Sequence, residues 1–231
     1  MDERRLLDEQ IAYYRARAGE YDEWFFRQGR YDHGPEQRAQ WFSEVAEVEA
    51  ALGAEAPRGE ILELACGTGL WTRHLVETAD RITAVDTSPE VIAVNRARLR
   101  SDRVEYVVAD IFDWTPPRAY DWVVFCFWLS HVPVVRFGEF WRLVRRALAP
   151  GGKAFFVDNL LRQEATAHDQ APLDTGGLVR RKLNDGREFD IVKIFYEPAT
   201  LHARLRQYGW EGYARATTTY FIFGCVSPRA S

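Results

Sequence analysis

Residues 61–70, Ile61-Leu-Glu-Leu-Ala-Cys-Gly-Thr-Gly-Leu70, restrict the fold more than any other stretch of the chain. An apolar run that carries one acid, Glu63, ends in Gly67-Thr68-Gly69. About twenty residues further on, a second apolar run, Ile82-Thr-Ala-Val-Asp86, ends in a carboxylate. A strand, a glycine-rich turn, a helix and a strand tipped by an acid form a holder for an adenosine. The glycines let the backbone approach the ligand closely, and the carboxylate accepts two ribose hydroxyls.

The spacing separates adenosine ligands. A dinucleotide site wants Gly-x-Gly-x-x-Gly, with the third glycine packing the helix; here that position is Thr72. The Gly-x-x-x-x-Gly-Lys-Ser/Thr loop of ATP sites is absent. The pattern present, Glu63-x-x-x-Gly67-x-Gly69, resembles the first motif of the class I S-adenosylmethionine (SAM) methyltransferases. Four more segments resemble that family in its order. They are Val104-Glu-Tyr-Val-Val-Ala-Asp110-Ile111-Phe112, a third strand ending in an acid; Tyr120-Asp-Trp-Val-Val-Phe-Cys-Phe-Trp-Leu-Ser-His131-Val-Pro133, a fourth strand and its loop; Leu148-Ala-Pro-Gly151-Gly152-Lys-Ala-Phe-Phe-Val157, a Pro-Gly-Gly turn into a fifth strand; and, N-terminally, Tyr13-Tyr14-Arg-Ala-Arg17-Ala-Gly-Glu-Tyr21-Asp22, similar to the lid helix of small-molecule members.

The resemblance implies SAM as cofactor and assigns roles. Glu63 lies near its methionine moiety, beside the turn of Cys66, Gly67 and Gly69. The backbones of Ala65 and Cys126 face its amino group, and Cys66 itself is small buried filler rather than a nucleophile. Asp86 holds the ribose, followed by Thr87. Asp110 takes the adenine amino group, and the Ile111 N–H meets a ring nitrogen. Tyr14 and Tyr21 cover the bound cofactor; they fall near one helix face if the helix runs unbroken through Gly19. His131 is the one side chain after the fourth strand suited to base work at neutral pH, although Ser130 replaces the first histidine of the family's paired-histidine loop. The bland alternatives are a loop brace for His131 and core packing for the tyrosines.

Trp71 and Trp128 flank the motif loops and are candidate walls of an acceptor pocket. Arg180, in the basic cluster Arg180-Arg181-Lys182, would serve an acceptor bearing a carboxylate or phosphate. Its alternative is a charged, solvated edge strand. Asp158-Asn159 resembles the magnesium ligands of metal-dependent catechol-type O-methyltransferases. The third ligand position falls at Cys126, a poor donor for a hard cation, so the site reads as metal-free.

Alternation of strands and helices over 60–158 implies a parallel α/β sheet with helices on both faces and ligands at the carboxyl ends of its strands. The expected architecture is one doubly wound, seven-stranded domain over residues 1–231. It comprises lid helices in 1–55, a cofactor-binding core in 56–159, an insert in 160–197 and a C-terminal helix and antiparallel strand pair in 198–231. Asp185-Gly186 marks a β-hairpin turn in the insert, which either covers the acceptor or extends the sheet.

A formal charge of −4 leaves no electrostatic footprint for nucleic acid. The Asn/Asp-Pro-Pro-Tyr/Phe motif of nucleic-acid amine methyltransferases is replaced by Cys126-Phe-Trp-Leu. The charged N-terminus lacks an apolar signal core, and no apolar run reaches the roughly 20 residues of a membrane span; a cytoplasmic protein is the expectation. Three scattered cysteines form neither a disulfide framework nor a zinc site. The sequence therefore reads as a SAM-dependent, metal-independent methyltransferase acting on an oxygen or nitrogen of a small molecule. The rival is a SAM-binding protein of the same fold with other chemistry or a non-catalytic role. Neither acceptor nor oligomeric state is legible.

Overall fold

The computed structural model describes residues 3–173 and 175–229. The first two residues of the charged N-terminus and Asp174 of the insert lie outside the described residues. Seven strands form one sheet in the order β3-β2-β1-β4-β5-β9-β8. These are β1 (Gly59–Leu64), β2 (Ala79–Asp86), β3 (Val104–Val108), β4 (Tyr120–Cys126), β5 (Leu148–Asn159), β8 (Trp210–Ala216) and β9 (Phe221–Pro228). The first five pair in parallel, whereas β9 runs antiparallel to both β5 and β8. The chain order reverses between β1 and β4, so the crevice of a doubly wound sheet opens beyond their carboxyl ends.

The strands are apolar on both faces because both are covered. On β4, Trp122 and Val124 belong to one core, with Trp41, Val45 and Val48 of α3 (Pro35–Glu55). Val123 and Phe125 belong to the other, with Phe140 and Trp141 of α6 (Phe137–Ala147) and Leu201 of α7 (Pro198–Gln207). The crossover helices α4 (Thr72–Val76) and α5 (Pro89–Leu99) link β1–β2 and β2–β3. Helix α5 starts where the sequence demands it: the Ser88 hydroxyl accepts from the Val91 N–H at 3.3 Å, and Pro89 fills the first turn.

The N-terminal helix does not run unbroken through Gly19: α1 (Glu3–Ala16) stops before a turn, and α2 (Tyr21–Phe25) restarts the chain. The Tyr14 and Tyr21 rings still lie 6.3 Å apart. Helix α3 runs through Gly53 to Glu55, and Ala56 takes the left-handed cap conformation.

The hairpin of β6 (Leu178–Lys182) and β7 (Glu188–Val192) is a separate two-stranded sheet and does not extend the main one. Gly186 supplies the positive φ of its turn, 90°. It packs on α1 through Tyr13, Leu183 and Ile191. Gln10 fixes the register by accepting from the Val192 N–H at 3.1 Å. Helix α1, α2 and the hairpin thus form one cap over the strand ends.

Candidate active site

At the end of β1 the chain turns through Ala65 at φ 54° and Gly67 at φ 53°. The Gly67 N–H donates to the Asp86 carboxylate at 3.0 Å, and the Ser88 N–H donates to its other oxygen at 3.0 Å. Burial raises the Asp86 pKa, and these backbone donors oppose the rise. A carboxylate has about four lone-pair directions, so Asp86 keeps acceptor capacity beyond these backbone bonds. Gly69, at φ 87°, has a different cause. A Cβ there would lie 2.6 Å from Oδ1 of Asn95 on α5, so this glycine admits the helix rather than the ligand.

A cleft opens over this turn, lined by Ala65, Gly67, Asp86, Thr87, Ile111 and Cys126, together with Tyr14, Tyr21, Trp128 and His131. Asp110, held by the Phe112 N–H at 2.9 Å, lines an adjoining recess with Thr87 and Trp128. Glu63, Cys66 and Trp71 line a second recess on the other side of Gly67. Glu63 is buried, with one carboxyl oxygen unpartnered among the described residues. Burial pushes its pKa up to about 8, against a hydrogen bond with Thr72. Burial likewise raises the thiols of Cys66 and Cys126 well above their ordinary value, which removes them as nucleophiles. The cleft suits a SAM-like ligand on its own terms. It has spare acceptors at Asp86, an orphaned buried carboxyl at Glu63 and a glycine turn against which a ligand can lie.

Asp22 of α2 locks the cap to this turn. It accepts from the Thr68 hydroxyl at 2.6 Å and pairs with Arg98 of α5.

A second cavity lies beside the first, sharing Tyr14, Tyr21, Phe127 and His131 with it. These four side chains are the wall between the two spaces. Phe127, just past β4, takes φ 57°, an uncommon conformation for a bulky residue. His131 is 4 % exposed and has both ring nitrogens occupied: Nδ1 lies 2.7 Å from the Val192 carbonyl and Nε2 2.7 Å from the Tyr14 hydroxyl. A carbonyl only accepts, so Nδ1 carries the proton and Nε2 accepts from Tyr14. Burial, and next the charge of Lys193, hold the His131 pKa well below its usual value. His131 is therefore a neutral acceptor for Tyr14, and its lone pair does not face the cavity directly.

The far side of this cavity is cationic. Arg17, from the turn after α1, and Lys193, just past β7, are both buried, and Arg181 of β6 is partly buried. Lys193 Nζ contacts the Ser130 hydroxyl at 2.7 Å, Oδ1 of Asp158 at 3.3 Å and Oδ1 of Asn159 at 3.4 Å.

The structure redistributes three expected acceptor contacts. Arg180 faces away from both spaces: its side chain is 64 % exposed and paired with Asp190 at 2.8 Å. Successive residues of a strand point to opposite faces, and in β6 it is Arg181 that reaches the cavity. Trp71 lines the recess beside Glu63, and Trp128 lines the cofactor cleft; neither lines the second cavity. Arg17 and Lys193 had no expected role.

Comparisons with known proteins bear on the family. A profile described as a methyltransferase domain matches residues 61–152. The chain is similar to the solved DhpI–SAH complex, at 41 % identity over 98 % of each chain with a TM-score of 0.79. It is equally similar to the DhpI–SAM–HEP complex, at 40 % identity over 99 % of this chain and 100 % of that one, TM-score 0.80. Among curated relatives, the ubiquinone biosynthesis O-methyltransferase of Xanthomonas euvesicatoria pv. vesicatoria (strain 85-10) is 29 % identical over 76 % of this chain and 72 % of its own. Nodulation protein S of Rhizobium tropici is 29 % identical over 45 % of this chain, and the match spans only 44 % of that relative's length.

Proposed function

Because the chain belongs to the class I SAM-dependent methyltransferase family, we propose that it methylates an oxygen or nitrogen of a small molecule held in the second cavity, without a metal ion. When bound, SAM supplies a methyl group on a positive sulfur, open to in-line displacement by an acceptor lone pair. The chain's work is then to bind, align and exclude water. Asp86 and Asp110 hold the adenosine end and Glu63 the methionine end. Tyr14 and Tyr21, on the cap, close the cleft from above.

The observation that carries this reading is the shared wall. Tyr14, Tyr21, Phe127 and His131 line both spaces, so a donor in one and an acceptor in the other meet there. The Tyr14 oxygen faces this junction while its proton is directed at His131 Nε2. A proton leaving the acceptor has a route to Tyr14, backed by His131. The depressed pKa of His131 makes that route weakly driven. We assign the pair to orienting the acceptor and accepting a proton from it, with alignment supplying most of the rate.

Metal independence rests on Lys193. Its ammonium occupies the oxygen atoms of Asp158 and Asn159 that a magnesium ion would need. Among the described residues no cluster of three or more His, Cys, Asp or Glu side chains could hold a metal.

The deciding test is release of S-adenosylhomocysteine with a panel of small hydroxy and amino acceptors. Acceptor-dependent release supports the proposal. Tight SAM binding with no release across the panel would favour a non-catalytic SAM-binding role.

A further inference from the structure

The second cavity has a one-sided charge. Arg17, Arg162, Arg181 and Lys193 line it, and no Asp or Glu does among the described residues. Lys193 is offset by Asp158, and Arg162 is exposed. The other two are not offset. Arg17 is 8 % exposed, and the one hydrogen-bond contact of its side chain is with the Tyr31 hydroxyl at 3.4 Å. Arg181 donates to the neutral Gln170 amide oxygen at 3.0 Å. Among the described residues neither guanidinium has an ion pair with a carboxylate. Burial of a cation without a counter-charge is costly and is tolerated where a ligand supplies the charge.

The unsatisfied atoms have one polarity. Arg17 Nε and Asn159 Nδ2 are buried without a partner, and both residues line the cavity. Both are donors, so the ligand they fit is an acceptor. The Arg17 guanidinium also lies 5.0 Å from the centre of the Tyr21 ring, placing its charge beside the wall where the methyl group arrives. Burial, and after it the charge of Arg17, lowers the pKa of Arg181 against the opposing pull of Tyr13.

We propose that this cavity is an oxyanion site, and that the acceptor is a small molecule bearing a carboxylate- or phosphate-type group held by Arg17 and Arg181, with Asn159 completing its shell. This deepens the methyltransferase reading and rests on it. Guanidinium groups suit the task, since their planar forks match two oxygens of one anion. A neutral acceptor of the same size leaves the same donors unpaired and is rejected.

The experiment is calorimetric titration of the protein saturated with S-adenosylhomocysteine, at constant ionic strength in a zwitterionic buffer. The probes are inorganic phosphate and acetate, with trimethyl phosphate and methyl acetate as neutral controls. At least one anion should bind saturably and the neutral esters should not. Binding of phosphate alone assigns a tetrahedral group, and binding of acetate alone a planar one. Arg17→Gln and Arg181→Gln should each weaken the anion about ten-fold or more, with S-adenosylhomocysteine affinity unchanged. Arg180→Gln, on the exposed face, should change neither. Arg17 packs among tyrosine rings, so Arg181→Gln keeps the test decisive if Arg17→Gln does not fold. Homocysteine-nucleoside binding without anion binding, or anion binding undiminished in Arg181→Gln, overturns the oxyanion site alone. Absence of S-adenosylhomocysteine binding by the wild type overturns the methyltransferase reading itself.

Discussion

Tyr14 and His131 are 117 positions apart and share a 2.7 Å hydrogen bond. That contact joins helix α1 of the cap to the loop after β4. Because Val192 also holds His131, at 2.7 Å, one imidazole fastens three parts of the chain around the junction of the two cavities.

If Tyr14 and His131 act as one unit, their losses will not multiply. Tyr14→Phe and His131→Gln should each lower kcat, by up to the roughly 10²–10⁴-fold of a lost acid–base group. The double variant should be little worse than either, so the coupling energy should nearly equal the loss of a single variant. SAM affinity should barely change. A double-mutant cycle on kcat checks this, and independent, multiplying losses would separate the two residues.

Asp86→Ala should weaken SAM binding. Each hydrogen bond to a charged group is worth about 1.5–3 kcal/mol, so loss of even one ribose contact costs roughly ten-fold or more in Kd. Calorimetric titration measures it, with circular dichroism to confirm the fold. Unchanged affinity would remove Asp86 from the ribose site.

Glu63 should release a proton when SAM binds. Its pKa of about 8 leaves it mostly protonated at neutral pH. A cationic amino group arriving beside it favours the carboxylate. Titrations at pH 7 in buffers of different ionisation heat should show release of up to about one proton per ligand. Glu63→Gln should abolish it. Buffer-independent heats in the wild type would place the amino group elsewhere.

His131 should make the fold sensitive to mild acid. Below its ordinary pKa of 6.5 the unfolded histidine takes up a proton that the folded one resists. The unfolded state then binds more protons, so stability falls as pH drops through that value, by up to about 1.4 kcal/mol per pH unit. Glu63 works in the opposite direction. Its raised folded pKa contributes stability that is present below its unfolded value of 4.5 and lost as pH rises through about 8. Urea melts of wild type and His131→Gln between pH 5 and 7 isolate the histidine share: the variant should lose the acid-side slope, and parallel curves would contradict the assignment.

The gathering of the proposed cofactor residues around one crevice was legible because it is local. Glu63, Gly67, Asp86 and Asp110 sit at the ends of successive strands, and a parallel sheet brings those ends together whatever the remainder of the chain does. The cationic lining of the second cavity was not, because it is assembled from distant segments. Arg17 follows α1, Arg181 lies on β6 and Lys193 follows β7, and no local pattern links them. One signal was available for choosing between the adjacent arginines. With the Asp185-Gly186 turn as pivot, Arg180 falls opposite Asp190, and Arg181 opposite Phe189. The apolar partner marks the inward face. The break between α1 and α2 was signalled by Gly19, but its consequence, Arg17 turned into the cavity beside Tyr21, required the tertiary packing of the tyrosines.

The most direct test of the account is methyl transfer itself in the presence of excess EDTA, reading S-adenosylhomocysteine and methylated product together. The two should form in equal amounts at a rate unchanged by the chelator or by added magnesium, because Lys193 already occupies Asp158 and Asn159. Loss of turnover in EDTA with recovery on adding magnesium would contradict it.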